Sequence, residues 1–197
     1  MEEYQKDFEN NGYVVVRDII DNNLLLYMEK QIKLIENIMC FEKKIDKTDY
    51  AFTDEQCKTC FSYYSSLTTE TLLELYKEKI EKITNKLLFP TYSYLRIYYK
   101  NSILNKHVDR YSCEYSASIC IKNDEEPWGI WFETKDKIEK QIFLNPGDMI
   151  IYKGLELPHW RNKYENEEQI QVFLHYVDQF GSYKEFKHDK RPMLGTC

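Results

Sequence analysis

The sequence has no apolar run long enough to cross a bilayer, and it is charged from its second residue, in MEEYQKDFENNG. A cytoplasmic chain with no cleaved leader is therefore the expectation. It also lacks a basic excess. Lys plus Arg number 27 against 33 Asp plus Glu, for a net charge of −6, so a dedicated nucleic-acid surface is not expected. The six cysteines, at positions 40, 57, 60, 113, 120 and 197, lack the density of a disulfide-stapled secreted scaffold. Cys57 and Cys60 form a CxxC, but no second CxxC and no nearby histidine complete four zinc ligands, so they read as reduced thiols. Repeats, low-complexity linkers and Pro/Gly/Ser-rich hinges are also missing. What remains is 197 residues, 43% hydrophobic and 30% charged, a balance that suits one compact domain over 1–197. Nothing in the composition sets an oligomeric state.

The first half reads as helices with one strand. Phe8 to Arg17 suggests a short helix, a turn at Gly12 and a strand of β-branched residues. Asp21 and Asn22 can cap a helix whose apolar residues, Leu24, Met28, Ile32, Ile35 and Met39, share one face. A second helix starts near Thr68 or Thr69, with a stripe of Leu72, Tyr76, Ile80, Ile83 and Leu87 and a stop at Pro90. Both stripes are packing faces. Residues 41–67 show no period and are expected to form a loop, a candidate lid. After Pro90 the texture changes to short strands, at 91–100, 114–122, 128–133, 139–144, 148–153, 157–161 and 169–178, with a turn at Pro146-Gly147. The expected fold is therefore mainly β with supporting helices, an antiparallel jelly roll. Its parts are a helical support over 1–89, a jelly-roll core over 90–180 and a tail over 181–197.

The β half holds the chemistry. Of four histidines, only His107 stands in a His-x-Asp, with Asp109. On an extended segment residues two apart share a face, so both side chains can reach one metal ion. Two imidazoles and one carboxylate on one face of an octahedral ion leave three positions open, the arrangement of non-haem Fe(II) oxygenases. His159, His175 and His188 are the candidates for the third ligand. His159 follows a turn-strand unit, Asn145 to Tyr152, that can bring it back across a jelly roll. His175 sits mid-strand in Gln171-Val-Phe-Leu-His-Tyr-Val177, where it could line the same cavity or be a hydrogen-bonded core residue. His188 lies in the polar stretch Lys184–Arg191 and reads as solvated. Trp128, Trp131 and Trp160 read as core or rim aromatics.

Phe8…Gly12-Tyr-Val-Val-Val-Arg-Asp18, Tyr98…His107-Val-Asp109, Pro146-Gly147-Asp148 and His159 resemble the 2-oxoglutarate/Fe(II) dioxygenases of the prolyl-hydroxylase and phytanoyl-hydroxylase type. The segments Pro90 to Tyr98, Leu157-Pro-His-Trp-Arg161 and Gln171 to Tyr176 resemble a small microbial and viral branch of that family. The resemblance implies a double-stranded β-helix (cupin-like) and iron on His107, Asp109 and His159. It also implies 2-oxoglutarate as cosubstrate with O₂, and ascorbate as a reductant. The reaction implied is hydroxylation of a C–H bond with release of succinate and CO₂. Because Asp109 supplies a carboxylate ligand, hydroxylation is favoured over halogenation.

One departure concerns the cosubstrate. Where such relatives carry an Arg or Lys after the second histidine, this chain has Glu168 and Gln169. A buried dicarboxylate needs a cation. Arg161 is the first choice, two residues past His159 and so on the same face of a strand, with Arg96 second. Tyr98 matches a tyrosine that contacts the cosubstrate in relatives, and Ser116 and Ser118 share parity on the next strand as further donors. Arg110 sits where the pocket should open toward substrate. A peptide or small molecule is the preferred substrate. The absent clamp keeps open a catalytically silent jelly roll that binds metal or ligand, and a nucleic-acid demethylase is disfavoured by the acidic balance.

Overall fold

The chain alternates helix and edge strand before its sheets close. Helix α1 (Glu2–Asn11) ends at Gly12, whose φ of 77° lies in the left-handed region open to glycine, and strand β1 (Tyr13–Val16) follows. Helix α2 (Asn22–Lys43) starts on the Asp21 carboxylate, which accepts from the N–H groups of Asn23 and Leu24 at 2.8 and 3.1 Å. Strand β2 (Cys60–Tyr64) precedes helix α3 (Leu67–Thr84), which starts on Ser66. The later strands are β3 (Leu88–Tyr99), β4 (Leu104–His107), β5 (Tyr115–Lys122), β6 (Ile130–Glu133), β7 (Glu139–Ile142), β8 (Met149–Lys153), β9 (His159–Arg161) and β10 (Glu168–Asp178). This computed structural model describes residues 1–44, 55–124 and 126–196.

Six strands form a large sheet in the order β1-β8-β5-β10-β3-β2, and four form a small one in the order β4-β9-β6-β7. Every registered pair is antiparallel. The result is a double-stranded β-helix backed by helices. Alternation along the large sheet divides its side chains. Leu95, Ile97, Ile119, Ile151, Val172 and Leu174 join one core with Met28 and Ile32 of α2 and Leu72, Tyr76, Ile80 and Ile83 of α3. Each such apolar burial stabilises by about 1.5–3 kcal/mol. Residues of opposite parity enter the barrel, where Cys120, Ile150 and Tyr152 meet Ile130 and Phe132 of the small sheet. Arg96, Tyr98, Ser118 and Gln171 share that parity.

Several boundaries differ from the sequence expectation. Helix α3 ends not at Pro90 but at Asn85, in a left-handed C-cap (φ 53°), and Pro90 lies inside β3. Leu87, read as part of the helical stripe, is 54% exposed beyond the helix end. The region expected as a loop over 41–67 supplies the end of α2 and all of β2, while the part of it at 45–54 lies outside the described residues. Strand β4 was not foreseen as a separate strand.

The expected tail is packed. A 3-10 segment (Lys184–Lys190) lies against β3. Beyond it Arg191 donates to Glu70 Oε1 at 2.6 Å and to the Thr91 carbonyl at 3.0 Å, and Glu70 also receives the Gly195 N–H. His188, Asp189 and Lys190 have φ of 52°, 56° and 63°, a left-handed run of three non-glycine residues. Among the described residues no helix is long and apolar enough to cross a membrane.

Candidate metal centre

Cross-strand register brings the first two site residues together. In the β4–β9 ladder His107 stands directly opposite His159, and their ring centroids are 4.3 Å apart. Asp109 follows the end of β4, where its N–H bonds to the Gly154 carbonyl at 2.9 Å and aims the side chain at the same point. His107 Nε2 and His159 Nε2 lie 3.7 and 3.6 Å from Asp109 Oδ1. His107 Nδ1 is 2.7 Å from the Asn105 carbonyl and His159 Nδ1 is 2.9 Å from the Leu157 carbonyl. A carbonyl only accepts, so each ring carries its proton on Nδ1 and turns a bare Nε2 toward the carboxylate. Three ligand atoms thus meet closely enough for one ion to touch all of them. The donor set fits a divalent transition metal.

Electrostatics favours an ion at that point. Burial holds His159 down at about 4 and also lowers His107, whose second cause is His159 itself. Burial likewise pushes Asp109 up to about 6, against the hydrogen bond from Ser116. These histidines are neutral at pH 7, and a cation at that point would offset the burial that raises the carboxylate. Gly154 is required by proximity, since a Cβ there would collide with Asp109 Oδ2 and the Cys113 carbonyl.

Deeper in the barrel lies a buried cation. Arg161 is 1% exposed and donates through Nη1 to the Trp128 carbonyl, while its Nε and Nη2 have no hydrogen-bond partner among the described residues. Its guanidinium carbon lies 5.0 Å from the Trp128 ring centroid and 5.8 Å from that of Tyr98. Burial lowers its pKa. Trp128 Nε1, on the ring beside it, and Gln169 Oε1 and Gln171 Nε2 of β10 are also buried without hydrogen-bond partners among the described residues. The unmet Nε and Nη2 donors of the guanidinium are costly unless an anion fills the space beside them. Arg96 is equally buried but engaged, donating from Nε to Ser62 at 3.2 Å and from Nη1 to the Tyr98 hydroxyl at 3.4 Å. Burial pushes Tyr98 up to about 12. Ser118 is turned to Gln171 Oε1 at 3.0 Å, which leaves that amide's NH₂ directed elsewhere. Glu168 is bound to Lys33 and Lys122 at 2.6 and 3.1 Å, an ion-pair role that explains why no clamp stands there.

The three converging side chains line a cavity of about 500 Å³, whose wall also includes Arg96, Arg110, Tyr64, Tyr92, Phe173 and His175. Arg110 donates to Asp189 at 2.8 Å and to the Tyr92 hydroxyl at 3.3 Å.

No protein-family model matches the chain, and no curated protein does. Solved structures do match. A prolyl-4-hydroxylase from Pseudomonas putida aligns at TM-score 0.69 and 9% identity over 88% of this chain and 97% of its own. HygX from Streptomyces hygroscopicus, with nickel, 2-oxoglutarate and hygromycin B bound, aligns at 0.70 and 11%, covering 91% and 88%. A prolyl hydroxylase from Trichoplax adhaerens, in complex with a hypoxia-inducible-factor peptide fragment, aligns at 0.72 and 9%, covering 90% and 89%. The fold is that of the 2-oxoglutarate/Fe(II) oxygenases.

Within this oxygenase fold the structure brings His107, Asp109 and His159 to one point, Arg161 and Tyr98 to the barrel behind it, and Arg96 and Arg110 to the cavity wall. His188 lies in the packed C-terminal segment, next to the Asp189 that pairs with Arg110, and not with the three converging side chains. Cys57 and Cys60 are buried and not joined in a disulfide, and Cys60 Sγ donates to the Cys57 carbonyl at 3.1 Å. Sequence reading missed Gln171 and Asp189. Gln171 was visible by parity, opposite Arg96 in the β10–β3 ladder. Asp189 carried no local signal, because its approach to Arg110 depends on the path of the C-terminal segment.

Proposed function

We propose that the chain is a non-haem Fe(II), 2-oxoglutarate-dependent oxygenase that hydroxylates a C–H bond of a peptide or small molecule, releasing succinate and CO₂. The observation that carries this reading is the convergence of His107 Nε2, His159 Nε2 and Asp109 Oδ1 with both imidazole tautomers already fixed. In such a site Fe(II), with 2-oxoglutarate and O₂, supplies the oxidising chemistry at positions the protein leaves open.

The protein's share is binding, orientation and dryness. His107, Asp109 and His159 would hold the ion, and the Asn105 and Leu157 carbonyls keep the rings from rotating. Arg161 would take the far carboxylate of the cosubstrate on its unpaired Nε and Nη2, with Tyr98 and Arg96 beside it. Ser118 acts there through Gln171 rather than by direct donation. Arg110 stands at the substrate side. HygX is solved with hygromycin B bound and the Trichoplax enzyme with a peptide fragment, which supports small-molecule or peptide substrates for this fold. Ascorbate would serve as an auxiliary reductant.

Calorimetry with Mn(II) tests the assignment. His107→Ala, Asp109→Ala and His159→Ala should each weaken binding by at least about tenfold, and only the wild type should form succinate from 2-oxoglutarate with Fe(II). A His159→Ala variant that bound Mn(II) like the wild type would remove the third ligand and the reading with it.

A further inference from the structure

The second oxygen of Asp109 organises a wall of the cavity that metal binding does not use. Ser116 Oγ lies 2.8 Å from Asp109 Oδ2 and 2.9 Å from His175 Nδ1. A hydroxyl has one proton, and the carboxylate is the stronger acceptor for it. His175 must therefore donate from Nδ1, which leaves its Nε2 as a bare acceptor. Nε2 makes no hydrogen bond among the described residues and is not sealed from the cavity that His175 lines.

Tyr92 links this acceptor to a cation. Its ring packs on His175 at 4.6 Å between centroids, and the Arg110 guanidinium sits 4.4 Å from the same ring. Arg110 spends Nε on the Tyr92 hydroxyl and Nη2 on Asp189, while Nη1 has no hydrogen bond among the described residues and the side chain is 54% exposed. The Asp189 carboxylate already resting on Arg110 is an internal example of the ligand chemistry this guanidinium accepts. Asp189 is held there from the left-handed run at 188–190, a conformation that costs about 1–2 kcal/mol per non-glycine residue and so needs its contacts to persist.

We propose that the substrate is a small free amino or hydroxy acid, whose carboxylate binds Arg110 and whose N–H or O–H donates to His175 Nε2. The proposal rests on the oxygenase reading for the reaction and adds the substrate class. It places a donor-bearing carbon of the acid against Tyr92, next to the wall that carries Asp109. A carboxamide loses the charge, and an analogue without the amino or hydroxyl group leaves a desolvated acceptor unpaired, so both are rejected.

The test uses Zn(II)-loaded full-length protein with 2-oxoglutarate and ligand-detected NMR. The probes are pooled free amino acids, their α-hydroxy analogues, their primary amides, and N-acetylated, C-amidated tripeptides. At least one free acid should bind, with its amide weaker by about tenfold or more. Arg110→Gln should weaken that acid by a similar factor, and Arg110→Lys should restore part of the loss. His175→Asn keeps a donor for Ser116 but removes the Nε2 acceptor. It should weaken the acid by about tenfold while leaving Zn(II) and 2-oxoglutarate affinities, read by calorimetry, unchanged. His175→Gln, which can place an acceptor near Nε2, should lose less. Equal binding of acid and amide, indifference to Arg110→Gln, or binding of capped tripeptides with no free acid would overturn the proposal. So would an empty screen from protein that binds Zn(II) and 2-oxoglutarate. Failure of Zn(II) or 2-oxoglutarate to bind would instead count against the oxygenase reading, and the acid's response to the two substitutions would still decide this one.

Discussion

Two arginines face the interior of the barrel, and their hydrogen bonds separate them. Arg96 is held by Ser62 and Tyr98, whereas Arg161 keeps Nε and Nη2 unpaired at 1% exposure. A lone buried guanidinium of this kind is expected to bind a carboxylate strongly, because losing one partner of a buried pair costs about 3–5 kcal/mol. Arg161→Ala should weaken 2-oxoglutarate by roughly two to three orders of magnitude with metal affinity nearly intact. Arg161→Lys should recover only part, since a point charge cannot reproduce the fork. Isothermal titration of the metal-loaded protein measures both. If Arg96→Ala abolished binding while Arg161→Ala barely changed it, the clamp would belong to β3. Parity made these residues legible in the sequence: His159 and Arg161 share a face of β9, and Arg96 and Tyr98 share one of β3. It could not show that the Ser118 hydroxyl is spent on Gln171, which depends on side chains meeting across two strands.

At the scale of elements, helix stripes and β-branched runs were readable because burial enforces their periods. Strand β2 was not, since its pattern is buried at three successive residues, Cys60, Phe61 and Ser62, and shows no alternation. Pro90 misled for a definite reason. A proline disfavours the preceding helix and also suits a strand position that needs no N–H, and here Asn85 had already ended the helix. The C-terminal segment was the least legible, because Glu70 and Arg191 are 121 residues apart and nothing local predicts their pairing. Their side chains are 3% and 11% exposed. Glu70→Gln should therefore destabilise by about 3 kcal/mol or more, by leaving Arg191 buried without its charge partner. The joint replacement Glu70→Gln with Arg191→Met should cost less than the single one. Urea unfolding of the wild type and the two variants checks this, and equal costs for single and double replacement would deny that the pair is coupled.

The whole molecule stores its site's titration as stability. In metal-free protein, burial holds His159 at about 4 and His175 at about 3, both below the ordinary 6.5. Between those values and 6.5 the unfolded chain binds more protons than the folded one, so stability rises with pH. Asp109, raised from 3.8 to about 6, works in the opposite sense over that interval. His107 is lowered as well, so three histidines against one carboxylate leave a net rise from pH 4 to 6.5. Thermal melts in chelator should gain roughly 5 °C or more across that range, and His175→Asn should flatten the profile. A melting temperature that fell with rising pH would contradict the neutral state of these rings. The β4–β9 register has a consequence for the order of folding. His107 and His159 are opposed only when two strands separated by a long stretch of chain have paired, and closing such a loop is slow and entropically costly. During synthesis the complete ligand set therefore cannot exist until β9 has emerged and found β4. A slip of one residue would turn every side chain of the incoming strand to the other face and scatter the ligands. The ion thus rewards only the correctly registered chain, and it acts as a late proofreader of the strand pairing that creates its own site.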